Sequence, residues 1–130
     1  MPATDYLRKK ALDHFNGVAT WAPPPNYLCL FKADPTEAGL QVQEVSGAGY
    51  ARQPLAGVMG AADASGMAVN TSTISFGPAA ADWGTSVYLA TADTPSGGNI
   101  GWPGALNAPR TITTGQPFQI PAGALRMRIA

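Results

Sequence analysis

Glycine and proline punctuate this chain so densely that a long helix has almost nowhere to form. Fifteen glycines and twelve prolines fall within 130 residues. Each glycine in a helix interior costs about 1 kcal/mol relative to alanine, and each proline about 3 kcal/mol. Between these corners lie short runs of β-type residues. The last third shows the pattern best, from Ile100-Gly-Trp-Pro-Gly through Pro109-Arg-Thr-Ile to the terminus. Its final run, Leu125-Arg126-Met127-Arg128-Ile129, alternates apolar and basic residues with period two, as a strand with one buried face does. Free termini fray, so a strand this near the end needs neighbours to pin it. The C-terminal run is therefore expected inside a sheet.

Candidate strands cover residues 27–32, 40–45, 50–55, 66–69, 73–76, 86–92, 99–102, 110–113, 118–120 and 125–129. Turn signals such as Asp34-Pro35, Ser46-Gly47, Gly77-Pro78 and Ser96-Gly97-Gly98 separate them. Punctuation every 8–12 residues or so predicts a mainly β fold, an antiparallel β-sandwich or jelly roll. One short α-helix precedes it. Thr4 can cap that helix, Asp5 suits its first turn, and Asn16-Gly17 ends it. Leu7, Ala11, Leu12 and Phe15 fall on one stripe, with Arg8, Lys9 and Asp13 facing away. The basic cluster reads as a solvated face or as an arm that docks on another subunit. Ala22-Pro23-Pro24-Pro25-Asn26 is a stiff connector. The expected organisation is a helical arm over 1–21 and a β-sandwich domain over 22–130, with an Ala/Gly-rich mobile loop over 57–66.

Composition narrows the function. The chain is 45% hydrophobic, which excludes general disorder. Only 12% of residues are charged, about half the usual 25% or so. Eight basic residues balance eight acidic ones, and nucleic-acid binding needs a basic excess. A neutral, charge-poor surface resists association poorly. Much of it is therefore expected to be covered by partners, with a homo-oligomer, dimer or trimer, favoured by closed symmetry. No apolar run approaches the roughly 20 residues of a membrane helix, so no membrane insertion is expected. The N-terminal stretch lacks the apolar core of a signal peptide. The single cysteine, Cys29, sits in the apolar run Tyr27-Leu28-Cys29-Leu30-Phe31 and reads as a buried, inert thiol.

Catalytic and metal chemistry need clustered groups that this chain does not supply. Its one histidine, His14, has only Asp13 beside it, and adjacent helix residues do not face the same way. There is no metal-ligand spacing of His or Cys and no Gly-x-Ser-x-Gly elbow. Gly47 and Gly49 lack the third glycine and following helix of a dinucleotide fingerprint. Asp34, Glu37, Asp82 and Asp93 lie near turns, where acidic side chains bond local backbone. A calcium site built from such loop carboxylates stays open, without EF-hand spacing. Asn70-Thr71-Ser72 matches a glycosylation acceptor, but so short a motif is better explained by chance. No catalytic residue, cofactor or metal site is therefore expected. Trp83, beside Gly84, reads as a corner packing element. Trp102, in Gly-Trp-Pro-Gly, is the aromatic expected to be exposed, with Asn99 and Asn107 as polar neighbours in a contact surface.

The order of certain pieces carries a resemblance. Leu28 to Phe31 with Asp34-Pro35 is followed by Gly49-Tyr50-Ala51-Arg52, Ile74-Ser75-Phe76 and Trp83-Gly84-Thr85. Gly97-Gly98-Asn99, Pro109-Arg110-Thr111-Ile112 and Ala122-Gly123-Ala124-Leu125 complete the series. Together they resemble small virion structural proteins of tailed bacteriophages, commonly labelled tail fibre proteins. The resemblance covers nearly everything beyond the helix. It implies a non-enzymatic virion part, assembled in the bacterial host cytoplasm and contacting capsid or tail subunits. At this length a fibre base, a connector or a head-decorating cement protein is expected rather than a whole fibre, with head decoration placed slightly ahead. Leu7, Leu12 and Phe15 are the candidate assembly contacts. The alternative is a receptor- or carbohydrate-binding module using Trp102, Asn99 and Asn107.

Overall fold

A computed structural model describes residues 3–22 and 24–128. Pro23 of the expected connector and Ile129 of the expected last strand lie outside the described residues. One helix and eight strands are formed among the described residues: α1 (Asp5–Phe15), β1 (Tyr27–Phe31), β2 (Gln53–Pro54), β3 (Met67–Val69), β4 (Ile74–Phe76), β5 (Gly84–Ala92), β6 (Ile100–Ile112), β7 (Phe118–Ile120) and β8 (Arg126–Arg128). The fold is mainly β, every ladder is antiparallel, and the helix comes first. A four-stranded sheet runs β2-β1-β5-β6, and two ribbons pair β3 with β8 and β4 with β7. The finer expectation of a jelly roll is not confirmed by this pairing.

Strand β1 organises the core because both of its faces are covered. Leu28 and Leu30 point to one side, where they pack with Ile74, Phe76, Phe118 and Ile120 of the β4–β7 ribbon and with Trp83. Cys29 and Phe31 point to the other and pack with Ala90, Ala92 and Ile100. A strand buried on both faces needs an uninterrupted apolar run, and Tyr27 to Phe31 is one. The β4 and β7 ribbon has a single buried face, so Ile74 and Phe76 are buried while Ser75 is exposed, and Gln119 is likewise exposed between Phe118 and Ile120. Trp83 turns the corner into β5. It is buried, stands edge-on to Tyr50 with ring centroids 5.5 Å apart, and donates from Nε1 to the Ala48 carbonyl at 3.0 Å.

The structure departs from the sequence reading in several places. The runs expected at 99–102 and 110–113 are one strand, β6, which passes through Pro103, Gly104 and Pro109. It lies at the sheet edge, where a proline's missing N–H need not break a ladder. Four of its residues, Leu106 to Pro109, bulge opposite Val87 alone, between the pairs Tyr88–Ala105 and Ser86–Arg110. The run expected at 40–45 forms turns with one bridge, Phe31 to Glu44. Val42 there is 81% exposed, so the apolar alternation marked no buried face. The expected strand at 50–55 shortens to Gln53–Pro54. Asp63 closes a turn at the end of the 57–66 stretch: its Oδ1 accepts from the Ser65 amide at 2.9 Å and the Met67 amide at 3.1 Å. Gly49 (φ 86°) is needed because a side chain there would meet Ala80 N and Pro78 O at 2.9 Å. That close approach, rather than nucleotide binding, explains the Gly-Ala-Gly at 47–49.

Candidate functional site

The first turn of α1 is fastened to the start of β6. The Thr4 amide donates to the Gly101 carbonyl at 2.9 Å, and the Asp5 amide to the Glu37 carbonyl at 2.8 Å. The buried Thr4 hydroxyl donates to the Ile100 carbonyl and accepts from the Leu7 amide, so one side chain caps the helix and docks it. Arg8 bridges Asp5 and Glu37. Beyond this turn the helix has no buried residue. The expected apolar stripe is split. Leu7 is half-buried beside Gly101, whereas Leu12 is 59% and Phe15 85% exposed. Val18, just past the helix, is 74% exposed.

A cleft of about 480 Å³ opens where α1 meets the sheet, lined in part by Tyr6, Leu7, Trp21, Asp93, Asn99 and Trp102. Asp93 is its polar centre. It accepts from the Asn99 amide at 2.8 Å and from Asn99 Nδ2 at 3.0 Å, and Tyr6 Oη donates to it at 3.4 Å. Burial pushes the Asp93 carboxyl up, but these donors outweigh it and hold the group below the ordinary carboxylate range. Burial and then the neighbouring Asp93 charge raise the Tyr6 phenol. Of the sequence-nominated contacts, Trp102 and Asn99 share this cleft with Leu7. Trp102 is half-buried rather than fully exposed, and its amide donates to Thr91 Oγ1 at 2.9 Å. Asn107 is exposed on the β6 bulge and borders a different groove. Leu12 and Phe15 border neither.

Sequence reasoning missed the network that holds one wall of the cleft. Arg52, with only 3% of its side chain exposed, binds Glu44 through two hydrogen bonds, from Nε at 2.8 Å and from Nη2 at 2.7 Å. Its Nη1 donates to the carbonyls of Thr94 at 3.0 Å and Gly97 at 2.9 Å, which fixes the loop between Asp93 and Asn99. Tyr50 donates to Glu44 at 2.8 Å and accepts from the Leu30 amide at 3.1 Å. Burial, chiefly, raises the Tyr50 phenol. The signal lay in Gly49-Tyr50-Ala51-Arg52: residues two apart in extended chain share a face. In so charge-poor a chain, an arginine beside a core aromatic points to a buried pair.

The remaining reactive groups serve structure. Cys29 is buried, donates to the Ala90 carbonyl, and is pushed up by burial to about 12. His14 accepts the Trp21 amide at Nδ1. Asn70, the glycosylation match, is buried. Its Nδ2 donates to the carbonyls of Ser72 and Pro121 at 2.9 Å each, and its Oδ1 accepts from the Leu125 amide at 2.9 Å. No group of three or more His, Cys, Asp or Glu among the described residues is placed to hold a metal. No helix among them is long and apolar enough to cross a membrane.

Fold and site together define a small antiparallel β module whose polar groups fasten loops and whose unpartnered features are faces, a form suited to assembly. The chain belongs to the family described as podophage GP4 fiber I protein gp80, whose model matches residues 2–128. It is thus a phage fibre protein and a virion component, of a structural family. No match was found among curated proteins.

Proposed function

We propose that this chain is a non-enzymatic structural module of the fibre apparatus, joined to other virion proteins through the outer end of its N-terminal arm. The observation that carries this reading is the division of α1 into a fastened first turn and a bare apolar end at Leu12, Phe15 and Val18. An isolated helix of this length is marginal in water. Holding one end fixed while leaving Phe15 uncovered makes sense if a neighbour covers it. Residues 1–21 then act as the arm and 22–130 as the β body, and self-association into a dimer or trimer brings copies together around the attachment point. The family's description favours the fibre over the head surface. Leu12→Asp with Phe15→Asp leaves Thr4 and the body untouched and is expected to abolish incorporation into particles, read by immunoblot of purified virions. Normal incorporation of a folded double variant refutes the arm as the attachment.

A second reading rests on the cleft. Trp21 and Trp102 on one concavity with Asp93 and Asn99 supply apolar surface and fixed polar groups of the kind sugar rings use. Glycan-array binding lost in Trp102→Ala would favour a receptor-binding role; an array silent for the wild-type protein removes it.

A further inference from the structure

Three strands each lack a partner on one side, and all three border one groove. Among the described strands, β6 pairs only with β5, β7 only with β4 and β8 only with β3. A groove of about 900 Å³ lies between them. All three residues of β7, all three of β8 and the run from Trp102 to Ala108 of β6 border it. The central strand β5, paired on both sides, also contributes consecutive residues, Leu89 to Thr91, so the edge character of β6, β7 and β8 rests on their lacking a second partner strand among the described residues. The groove is thus bordered by strand edges that no second strand covers among the described residues, apart from the Trp102 amide, bonded to Thr91, and the Ile120 and Pro121 carbonyls, bonded to Asn70, over an apolar floor that includes Leu28, Leu89 and Leu125.

Its charge has one sign. Arg110, Arg126 and Arg128 border it and no acidic residue does, in a chain whose net charge is zero. Among the described residues none of the three is in an ion pair. Arg110 lies over the Phe118 ring at 5.3 Å, and Arg128 influences Asp63, whose carboxylate is already bonded to Ser65 and Met67. Equally, none of the eight strands contains an aspartate or glutamate, so a strand from a second copy could not complement the rim.

We propose that this groove receives an extended acidic segment of a different virion protein, which adds as a strand against the free edges, sets apolar side chains on the floor and alternates them with carboxylates toward the arginines. This rests on observations separate from the helix end. The probe is an acetylated peptide about ten residues long, alternating isoleucine or valine with glutamate, titrated calorimetrically into the intact protein with hydrogen exchange in parallel. Expected are binding, new protection of amides in β6, β7 and β8, and affinity at least roughly tenfold weaker for Arg126→Glu with Arg128→Glu. Both side chains are exposed, and Arg110→Glu serves as a second variant if the pair disturbs folding. A peptide carrying two prolines, which lack backbone donors, is expected to lose binding. The proposal is overturned by no binding, by equal affinity for a lysine peptide, or by indifference to the arginine variants. It is equally overturned if dextran sulfate protects the groove and the peptide does not, which marks an anionic-polysaccharide surface, or if protection appears with protein concentration alone, which marks a second copy.

Discussion

Arg52 ties two of the chain's irregular segments to each other. Its guanidinium ties Glu44, on the 40–45 turn, to carbonyls of the loop that closes the β5–β6 hairpin. A buried ion pair is an uncertain source of net stability, but removing one partner strands the other and costs about 3–5 kcal/mol. Arg52→Ala should therefore destabilise by about that amount in urea denaturation. Arg52→Lys should restore little of it, because an ammonium cannot bond both carboxylate oxygens and two carbonyls in one plane. A loss within about 0.5 kcal/mol, the range of ordinary surface substitutions, would show that the loop holds itself.

At the scale of elements, the sequence announced what repeats and concealed what is fastened by single side chains. The helix was legible from Thr4 to Gly17 because capping and termination are local chemistry. The strand 118–120 was legible because period-two burial is local as well. What could not be read was the docking role of Thr4, since its partner carbonyls lie more than ninety residues away. The merging of two runs into β6 was hidden because proline signals a break unless the strand is known to be an edge. The C-terminal strand was anticipated, but not its clamp, Asn70. Asn70→Asp keeps the shape and turns a donor toward the Ser72 and Pro121 carbonyls into an acceptor, at a cost of about 1–3 kcal/mol. Its effect should fall first on β3 and β8, seen as faster hydrogen exchange there than in β5. Thr4→Val likewise removes the hydroxyl's share of both cap and dock while keeping volume and the backbone bonds to Gly101 and Glu37. It is expected to lower the helical signal and to cost about 1–2 kcal/mol, with Thr4→Ser retaining most of both. Retained helix in Thr4→Val would place the docking elsewhere.

For the whole molecule, the cleft was half legible. Trp102 and Asn99 line the same cleft, whereas Asn107 is carried off by a bulge that no local pattern encodes. What the complete fold adds is a dependence on pH that no single segment reveals. Asp63 and Asp93 are both held below their ordinary 3.8, by the Ser65 hydroxyl and by the Asn99 donors working against burial. A carboxylate whose folded value is depressed contributes stability above its unfolded value, and that contribution is lost as pH falls through the folded one. At the other end, burial raises Cys29 from 9.0 to about 12. The unfolded thiol then ionises first, so stability falls as pH rises from about 9 toward 12. Denaturation midpoints should therefore be flat through neutrality, dropping below about pH 4 and again above about pH 9. Cys29→Ala removes the thiol's share of the alkaline fall, so its midpoints should decline less steeply than the wild type's above pH 9 or so, whatever the substitution costs at neutral pH. In the wild type, Cys29 should resist thiol reagents until the fold opens. Parallel alkaline limbs in the two proteins, or rapid labelling of the native thiol, would mean that Cys29 is not sealed among Phe31, Ala90, Ala92 and Ile100 as the packing requires.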